Sequence, residues 1–183
     1  MTTESTRPTE SLPILLSSEQ IDARIDELAR EIRADYGDAS ILLVGVLKGS
    51  YVFLSDLSRR LGGSVTIDFV QTSSYGEGES SSGVVQIRKD LDLNIEGRDV
   101  LLVEDIVDTG ATLAHLRELF GTRHPRSLRV VTLLSKSEAR TTPVPIEYVG
   151  FEIPNAFVVG YGLDYGERFR NLPYVALFQE DLP

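Results

Sequence analysis

Four apolar residues at 100–103 run straight into Glu104-Asp105, and after Ile106 and Val107 comes Asp108-Thr109-Gly110-Ala111-Thr112. An apolar run of that length, bounded by polar residues, reads as a buried strand. The Thr-Gly-Ala-Thr piece then opens a helix carrying Leu113, Leu116, Leu119 and Phe120, which Gly121 closes. Strand, turn and helix in that order commit the chain to a βα unit. The two acids are expected where the strand ends, at the edge of a sheet where ligands collect.

The pattern has chemical consequences. The first turn of a helix offers unpaired N–H groups and the positive end of the helix dipole, which favour an anion. Gly110 lets a ligand approach the backbone, and Thr109 and Thr112 add hydroxyl donors. Thr109, Gly110, Ala111 and Thr112 therefore read as a phosphate cradle. Carboxylates beside a phosphate would repel it, so Glu104 and Asp105 need another partner. A sugar cis-diol offers two O–H donors to them, and Mg²⁺ prefers carboxylate, water and phosphate oxygens. Asp108, between the acids and the cradle, is placed to take or give a proton on a group lying over the ribose. Asp-Thr-Gly alone is also an ordinary helix N-cap; the paired acids directly after a buried strand favour the ligand site. No Gly-x-Gly-x-x-Gly is present, and no Gly-Lys-Ser/Thr stands where a P-loop needs it.

The same alternation recurs along the chain. Ser17 and Gln20 have capping-box spacing, and Ile21, Ile25, Leu28 and Ile32 then form one apolar stripe as far as Gly37. Residues 41–47 predict a strand buried on both faces. After the turn Lys48-Gly49-Ser50, Phe53, Leu54, Leu57 and Leu61 mark a second helix, stopped by Gly62-Gly63. Residues 65–72 alternate and predict a strand with Val65, Ile67 and Phe69 inward. Residues 73–83 are polar and rich in Gly and Ser, which predicts a mobile loop, and 84–88 the returning strand. Further strands are expected at 128–134, 146–151, 157–161 and 174–178. Helices alternating with apolar strands predict an α/β fold with a mostly parallel twisted sheet and helices on both faces. At 183 residues the chain fits one domain, expected over 12–183 behind a disordered tail at 1–11 that lacks the apolar core of a signal peptide.

Composition excludes some classes of function. The formal net charge of −10 argues against a broad surface for nucleic acid or for an anionic membrane. The absence of cysteine rules out disulfides and thiolate metal sites, and a cytoplasmic location is the simplest home. No apolar run approaches membrane-spanning length.

The stretch Val-Leu-Leu-Val-Glu-Asp-Ile-Val-Asp-Thr-Gly-Ala-Thr-Leu closely resembles the phosphoribosyl-pyrophosphate motif of type I phosphoribosyltransferases. Val46-Leu47-Lys48-Gly49-Ser50, Ser74-Tyr75-Gly76, Leu133-Leu134-Ser135-Lys136 and the run from Phe151 to Tyr165 resemble the hypoxanthine-guanine members, in the family's order, over roughly residues 12–180. The resemblance implies the type I fold, with a small hood formed by the terminal segments. It implies transfer of a phosphoribosyl group from 5-phospho-α-D-ribosyl 1-pyrophosphate to N9 of a 6-oxopurine, with Mg²⁺ held near Glu104, Asp105 and Asp164. Leu47, Lys48, Gly49 and Arg170 would then bind pyrophosphate, and the peptide before Lys48 can be cis in the family. Ser74 and Tyr75 would belong to a closing loop. Lys136 would read the 6-oxo group, Phe157 would stack on the base, and the Val158 backbone would read its edge. Asp164 would complete the purine site beside the metal. His115 and His124 match no catalytic position. The family also implies a homodimer or homotetramer.

Three rivals stand beside this reading. An RNA-binding attenuation regulator on the same fold would need a basic face, which a charge of −10 opposes. A transferase for adenine or uracil would not need the Lys136 and 157–164 matches. A relative that only senses phosphoribosyl pyrophosphate would not need Asp108 and Lys136 together.

Overall fold

A computed structural model describes residues 12–74 and 85–178. The expectations for 1–11, and those for Tyr75 and most of the closing loop, lie outside the described residues.

Ile14–Leu16 forms strand β1, an element that its three residues did not announce. Helix α1 spans Ser18–Tyr36 and opens on the expected capping box. The Ser17 hydroxyl accepts the Gln20 N–H at 3.3 Å, and Gln20 Oε1 accepts the Ser17 N–H at 2.9 Å. Two otherwise orphaned donors are thereby satisfied. Ile21, Ile25, Leu28, Ala29 and Ile32 are buried along one stripe. Strand β2 (Ile41–Leu47) leads through the Lys48-Gly49-Ser50 turn into helix α2 (Tyr51–Leu61), whose Phe53, Leu54, Leu57 and Leu61 are buried.

Strand β3 (Val65–Ser74) pairs antiparallel with β4 (Val85–Lys89). Of the expected inward face of β3, Val65 and Phe69 pack against the core, and only Ile67 departs from it. Ile67 is 43% exposed, whereas Asp68 and Val70 are buried. Asp68 is tolerated inside because its carboxylate accepts the N–H groups of Phe69, Asp92 and Leu93 at 2.7–2.9 Å. It ties β3 to the turn after β4.

Strand β5 (Asp99–Val107), helix α3 (Ala111–Gly121) and strand β6 (Ser127–Ser135) follow, then β7 (Tyr148–Glu152), β8 (Val158–Val159) and β9 (Val175–Leu177). The last three are shorter than the apolar runs suggested, because those runs continue into turns packed on the core. Six strands make one sheet in the order β4-β3-β2-β5-β6-β7, parallel except for β4.

Successive residues of a strand face opposite sides, and both sides of this sheet are covered. Ile41 and Leu43 join Leu101 and Val103 in a core with α1 and α2. Leu42, Val44 and Val46 join Val100 and Leu102 in a second core with Leu113, Leu116 and Phe120 of α3. That is why β2 and the first half of β5 are continuously apolar. At the far edge, Arg24 of α1 donates to the carbonyls of Val149 and Gly150 at 2.9 and 3.0 Å, which shields β7.

From β2 the chain moves to β3 on one side, then returns to β5 on the other. The switch point therefore lies between the carboxyl ends of β2 and β5, where an α/β sheet opens a crevice. A separate antiparallel sheet, β1-β9-β8, joins the two terminal segments into a hood.

Candidate active site

The turn after β2 and the loop after β5 meet at this switch point. Strand β5 runs further than the sequence suggested: Glu104 and Asp105 lie within it, not beyond its end. Parallel pairing with β6 continues through Glu104↔Thr132 to Val107↔Ser135, and this pairing extends the strand past the acids. Being successive strand residues, the acids diverge. Glu104 lines a pocket of about 110 Å³ together with Ile106, Val107, Asp108, Thr109, Gly110, Thr112 and Leu113. The Asp105 carboxylate turns to the other loop, where a Cβ added at Gly49 would lie 1.6 Å from its Oδ2. Only glycine fits at 49.

Helix α3 begins at Ala111, inside the segment 109–112 read as the cradle. Gly110 is the N-cap of α3, with φ 87° in the left-handed region, and it has no side chain to cap the helix. Thr109 lines the pocket, and its Oγ accepts the Ala111 N–H at 3.4 Å, which leaves its own O–H free to donate. The pocket beneath still receives the open end of the helix, as an anion site requires.

Burial pushes the Glu104 carboxyl well above the ordinary carboxylate range, with the Asp105 charge adding to it. Asp105 is pushed up to about 6, chiefly by burial. The Ile106 N–H, donated at 2.9 Å, and the more distant Arg170 offset only part of that cost. Both acids thus carry unspent capacity for a donor or a cation.

Strand β6 delivers Lys136 directly after Ser135. Lys136 is 7% exposed, and its Nζ lies 3.5 Å from Asp108 Oδ2. The expected base-reading lysine and the expected proton-handling acid therefore stand together, Asp108 being also a residue of the pocket lining.

The Leu47–Lys48 peptide is cis. Gly49 packs against Gly162, whose own Cβ would sit 2.1 Å from the Gly49 carbonyl at φ +100°. Two glycines thus press a hood turn onto the sheet edge. Lys48 Nζ pairs with Glu167 at 2.8 Å. Arg170 pairs with Asp164 at 2.8 Å and Glu167 at 3.3 Å, and donates to the Gly162 carbonyl at 2.8 Å. Its buried Nε has no partner among the described residues. Asp164 also accepts the Glu167 N–H at 2.8 Å.

Glu104, Asp105 and Asp164 do not converge. Among the described residues no group of three or more His, Cys, Asp or Glu side chains is arranged to hold a metal ion. The cause is geometric: the first two diverge along the strand, and Asp164 is engaged by Arg170. The donor set still suits Mg²⁺, which takes one or two carboxylates and completes its shell with water and phosphate oxygens.

In the hood, Phe157 is 52% exposed and Val158 is buried in β8. Tyr165 and Phe178 meet the Phe157 ring, and Phe169 meets Phe178, in a ring cluster that the sequence reading did not find. Arg140 was also missed. It donates to the Asp108 carbonyl at 3.1 Å and the Ser135 hydroxyl at 3.0 Å, while Thr141 and Thr142 donate to the Thr109 carbonyl at 3.1 and 3.0 Å. An arginine five residues past a strand carries no sequence signal of such a role. Ser74 ends β3. His115 lies in α3 and His124 just beyond it, where its carbonyl accepts the Gly97 N–H at 2.9 Å.

A parallel sheet with carboxylates and a helix-borne cradle at its switch point, under a hood of terminal strands, defines the type I phosphoribosyltransferase class. Residues 14–166 match the model of the phosphoribosyl transferase domain. Hypoxanthine-guanine phosphoribosyltransferase from Mycobacterium avium is 56% identical over 168 residues, covering 88% of this chain and 83% of that one. The Bacillus subtilis (strain 168) enzyme of the same name is 48% identical over 166 residues, covering 91% and 92%. A crystal structure of a Staphylococcus aureus hypoxanthine phosphoribosyltransferase superimposes with a TM-score of 0.90 at 44% identity, covering 96% of this chain and 97% of that one. The chain belongs to the phosphoribosyltransferase family, among its hypoxanthine-guanine members. These relatives are transferases, and nothing in them supports the RNA-binding alternative. No described helix is long and apolar enough to cross a membrane.

Proposed function

We propose that the protein salvages purines. It transfers the phosphoribosyl group of 5-phospho-α-D-ribosyl 1-pyrophosphate to N9 of hypoxanthine or guanine, giving IMP or GMP and pyrophosphate. The observation that carries this reading is the Lys136 ammonium 3.5 Å from Asp108, itself a residue of the pocket lining. A buried ammonium donates to a 6-oxo group and would leave a 6-amino group unsatisfied, so it selects against adenine.

Each residue has a task in this reading. The amides of Gly110, Ala111 and Thr112 and the hydroxyls of Thr109 and Thr112 hold the 5-phosphate. Glu104 and Asp105 accept from the ribose hydroxyls. Lys48, the backbone of 47–49 and Arg170 hold the pyrophosphate, and the fork of Arg170 suits its oxygens. Asp108 shares a proton with the purine N7 and so makes N9 the better nucleophile. Phe157 stacks on the ring, and the Val158 backbone reads its edge. Bound Mg²⁺, held by Asp105 or Asp164 with substrate oxygens, would supply charge neutralisation on the leaving pyrophosphate. Residues 12–183 work as one cytoplasmic transferase domain, assembled as a homodimer or homotetramer.

The test is pyrophosphate release with Mg²⁺ and each of hypoxanthine, guanine, xanthine and adenine. Turnover with hypoxanthine or guanine, and little with adenine, is expected. Absence of turnover with every 6-oxopurine refutes the reading.

A further inference from the structure

Phe157 lies at the mouth of the hood with half of its surface in solvent, so no packed core fixes its ring. The fixing contacts come from β9. The β8–β9 ladder pairs Val158 with Leu177 and Val159 with Ala176, which sets Phe178 across from Phe157. The Phe178 N–H donates to the Phe157 carbonyl at 2.9 Å. Their rings meet edge to face, with centroids 5.8 Å apart and planes at 61°. The Phe178 ring also stacks on Tyr165 at 4.3 Å and 30°, and touches Phe169 at 5.8 Å. Tyr165 in turn meets Phe157 at 89°. Phe178 is the one ring in contact with all the other three, and so the hub of the cluster.

We propose that Phe178 is a positioning residue for the purine subsite, holding the Phe157 ring in the orientation that stacks on the base. The proposal rests on the purine reading above. Edge-to-face geometry has an orientation preference because the positive ring edge seeks the negative ring face. These contacts therefore hold its plane, while the half of its surface left in solvent is open to a ligand. An aliphatic side chain at 178 would fill space without setting that plane. Because Phe178 acts through Phe157, it should alter base binding and leave the pyrophosphate donor alone.

The test measures steady-state KM for hypoxanthine and for phosphoribosyl pyrophosphate in Phe178→Ala, Phe178→Leu, Phe178→Tyr, Phe157→Ala and the double Phe157→Ala/Phe178→Ala variant. Phe178→Ala should raise the hypoxanthine KM about three- to tenfold, the range that one aromatic pair supplies. The donor KM should stay within about twofold, the limit set by a role confined to the base. Phe178→Tyr should restore the wild-type value. Phe178→Leu keeps the bulk, guards against a folding defect, and should show most of the loss. In the Phe157→Ala background the second substitution should add nothing. An unchanged hypoxanthine KM in both the Ala and Leu variants, equal rises in both KM values, or full additivity with Phe157→Ala overturns the proposal. An unchanged base KM in Phe157→Ala overturns the stacking assignment itself, a separate outcome.

Discussion

The sheet edge and the hood solve different problems with different materials. At the edge, Glu104, Asp105, Asp108 and the cradle come from one unbroken segment, and Lys136 comes from the strand beside it. Their spacing is fixed by parallel ladder bonds, and the acids are held at an electrostatic cost. In the hood, Phe157, Asp164, Arg170 and Phe178 come from short strands and turns, and exposed rings and ion pairs connect them. In the reading proposed above, the contrast places proton chemistry on the rigid ladder and base stacking on side chains that can adjust.

The sharpest way to break that division is at Asp108. Asp108→Ala should lower kcat about 10²- to 10⁴-fold, the usual range for a lost general acid or base. Donor KM should change far less. An unchanged kcat would move the proton chemistry away from the sheet edge.

Two glycine substitutions compare the regions next. Gly49→Ala drives a Cβ into the Asp105 carboxylate, whereas Gly166→Ala in the hood turn meets no atom within 4 Å. Gly49→Ala should raise the donor KM by roughly tenfold or more, since small misplacements at a reacting centre are costly. Gly166→Ala should cost only a little stability, because its φ is +57°. Equal kinetic effects would erase the contrast.

Asp105→Asn tests the electrostatic cost. The Asp105 carboxyl sits at about 6 in the fold, against roughly 3.9 in an unfolded chain. Between those values the native state binds more protons than the unfolded one, so stability falls as pH rises and the full cost is present above about pH 6. Asp105→Asn should therefore raise the melting temperature of the ligand-free protein by a few degrees at pH 7.5, with the gain vanishing near pH 4. Donor binding should weaken at the same time. A destabilised variant at pH 7.5 would show that the carboxylate is held by its neighbours.

The smallest effect is expected at Glu167, which links the two regions by pairing with Lys48 and Arg170. The Glu167 carboxylate and Lys48 are exposed, and exposed pairs are weak and screened by salt. Glu167→Gln should lower the inhibition constant of pyrophosphate about two- to threefold at low salt, with less effect at high salt. A rise would make Glu167 an organiser of the cations in place of a competitor.

What was legible in the sequence follows the same division. The capping box at Ser17, the stripe on α1 and the strand at β2 are local patterns, and each forms as expected. The βα unit of β5 and α3 was legible because one segment carries it. The divergence of Glu104 from Asp105 depends on how far β5 continues, and pairing with β6 decides that. Arg140, Glu167 and Phe178 were invisible because their meaning lies in partners 32, 119 and 21 positions away, as in Arg140 to Asp108, Glu167 to Lys48 and Phe178 to Phe157. Ile67 misled for a related reason: alternation marks a face without saying how well it is covered.

The β5–β6 ladder has one more consequence. Val107 stands opposite Ser135 on its last rung, so Asp108 and Lys136 are each the next residue past a shared step. Peptide groups set their separation, and every sequence supplies those. Helices may be repacked and surfaces recharged while the pair keeps its span, but one residue inserted before either member would pull them out of step. More than half of the aligned positions differ from the Staphylococcus aureus protein at 44% identity, yet the two backbones agree with a TM-score of 0.90. The pair is geared by the main chain, which leaves the rest of the sequence free to drift.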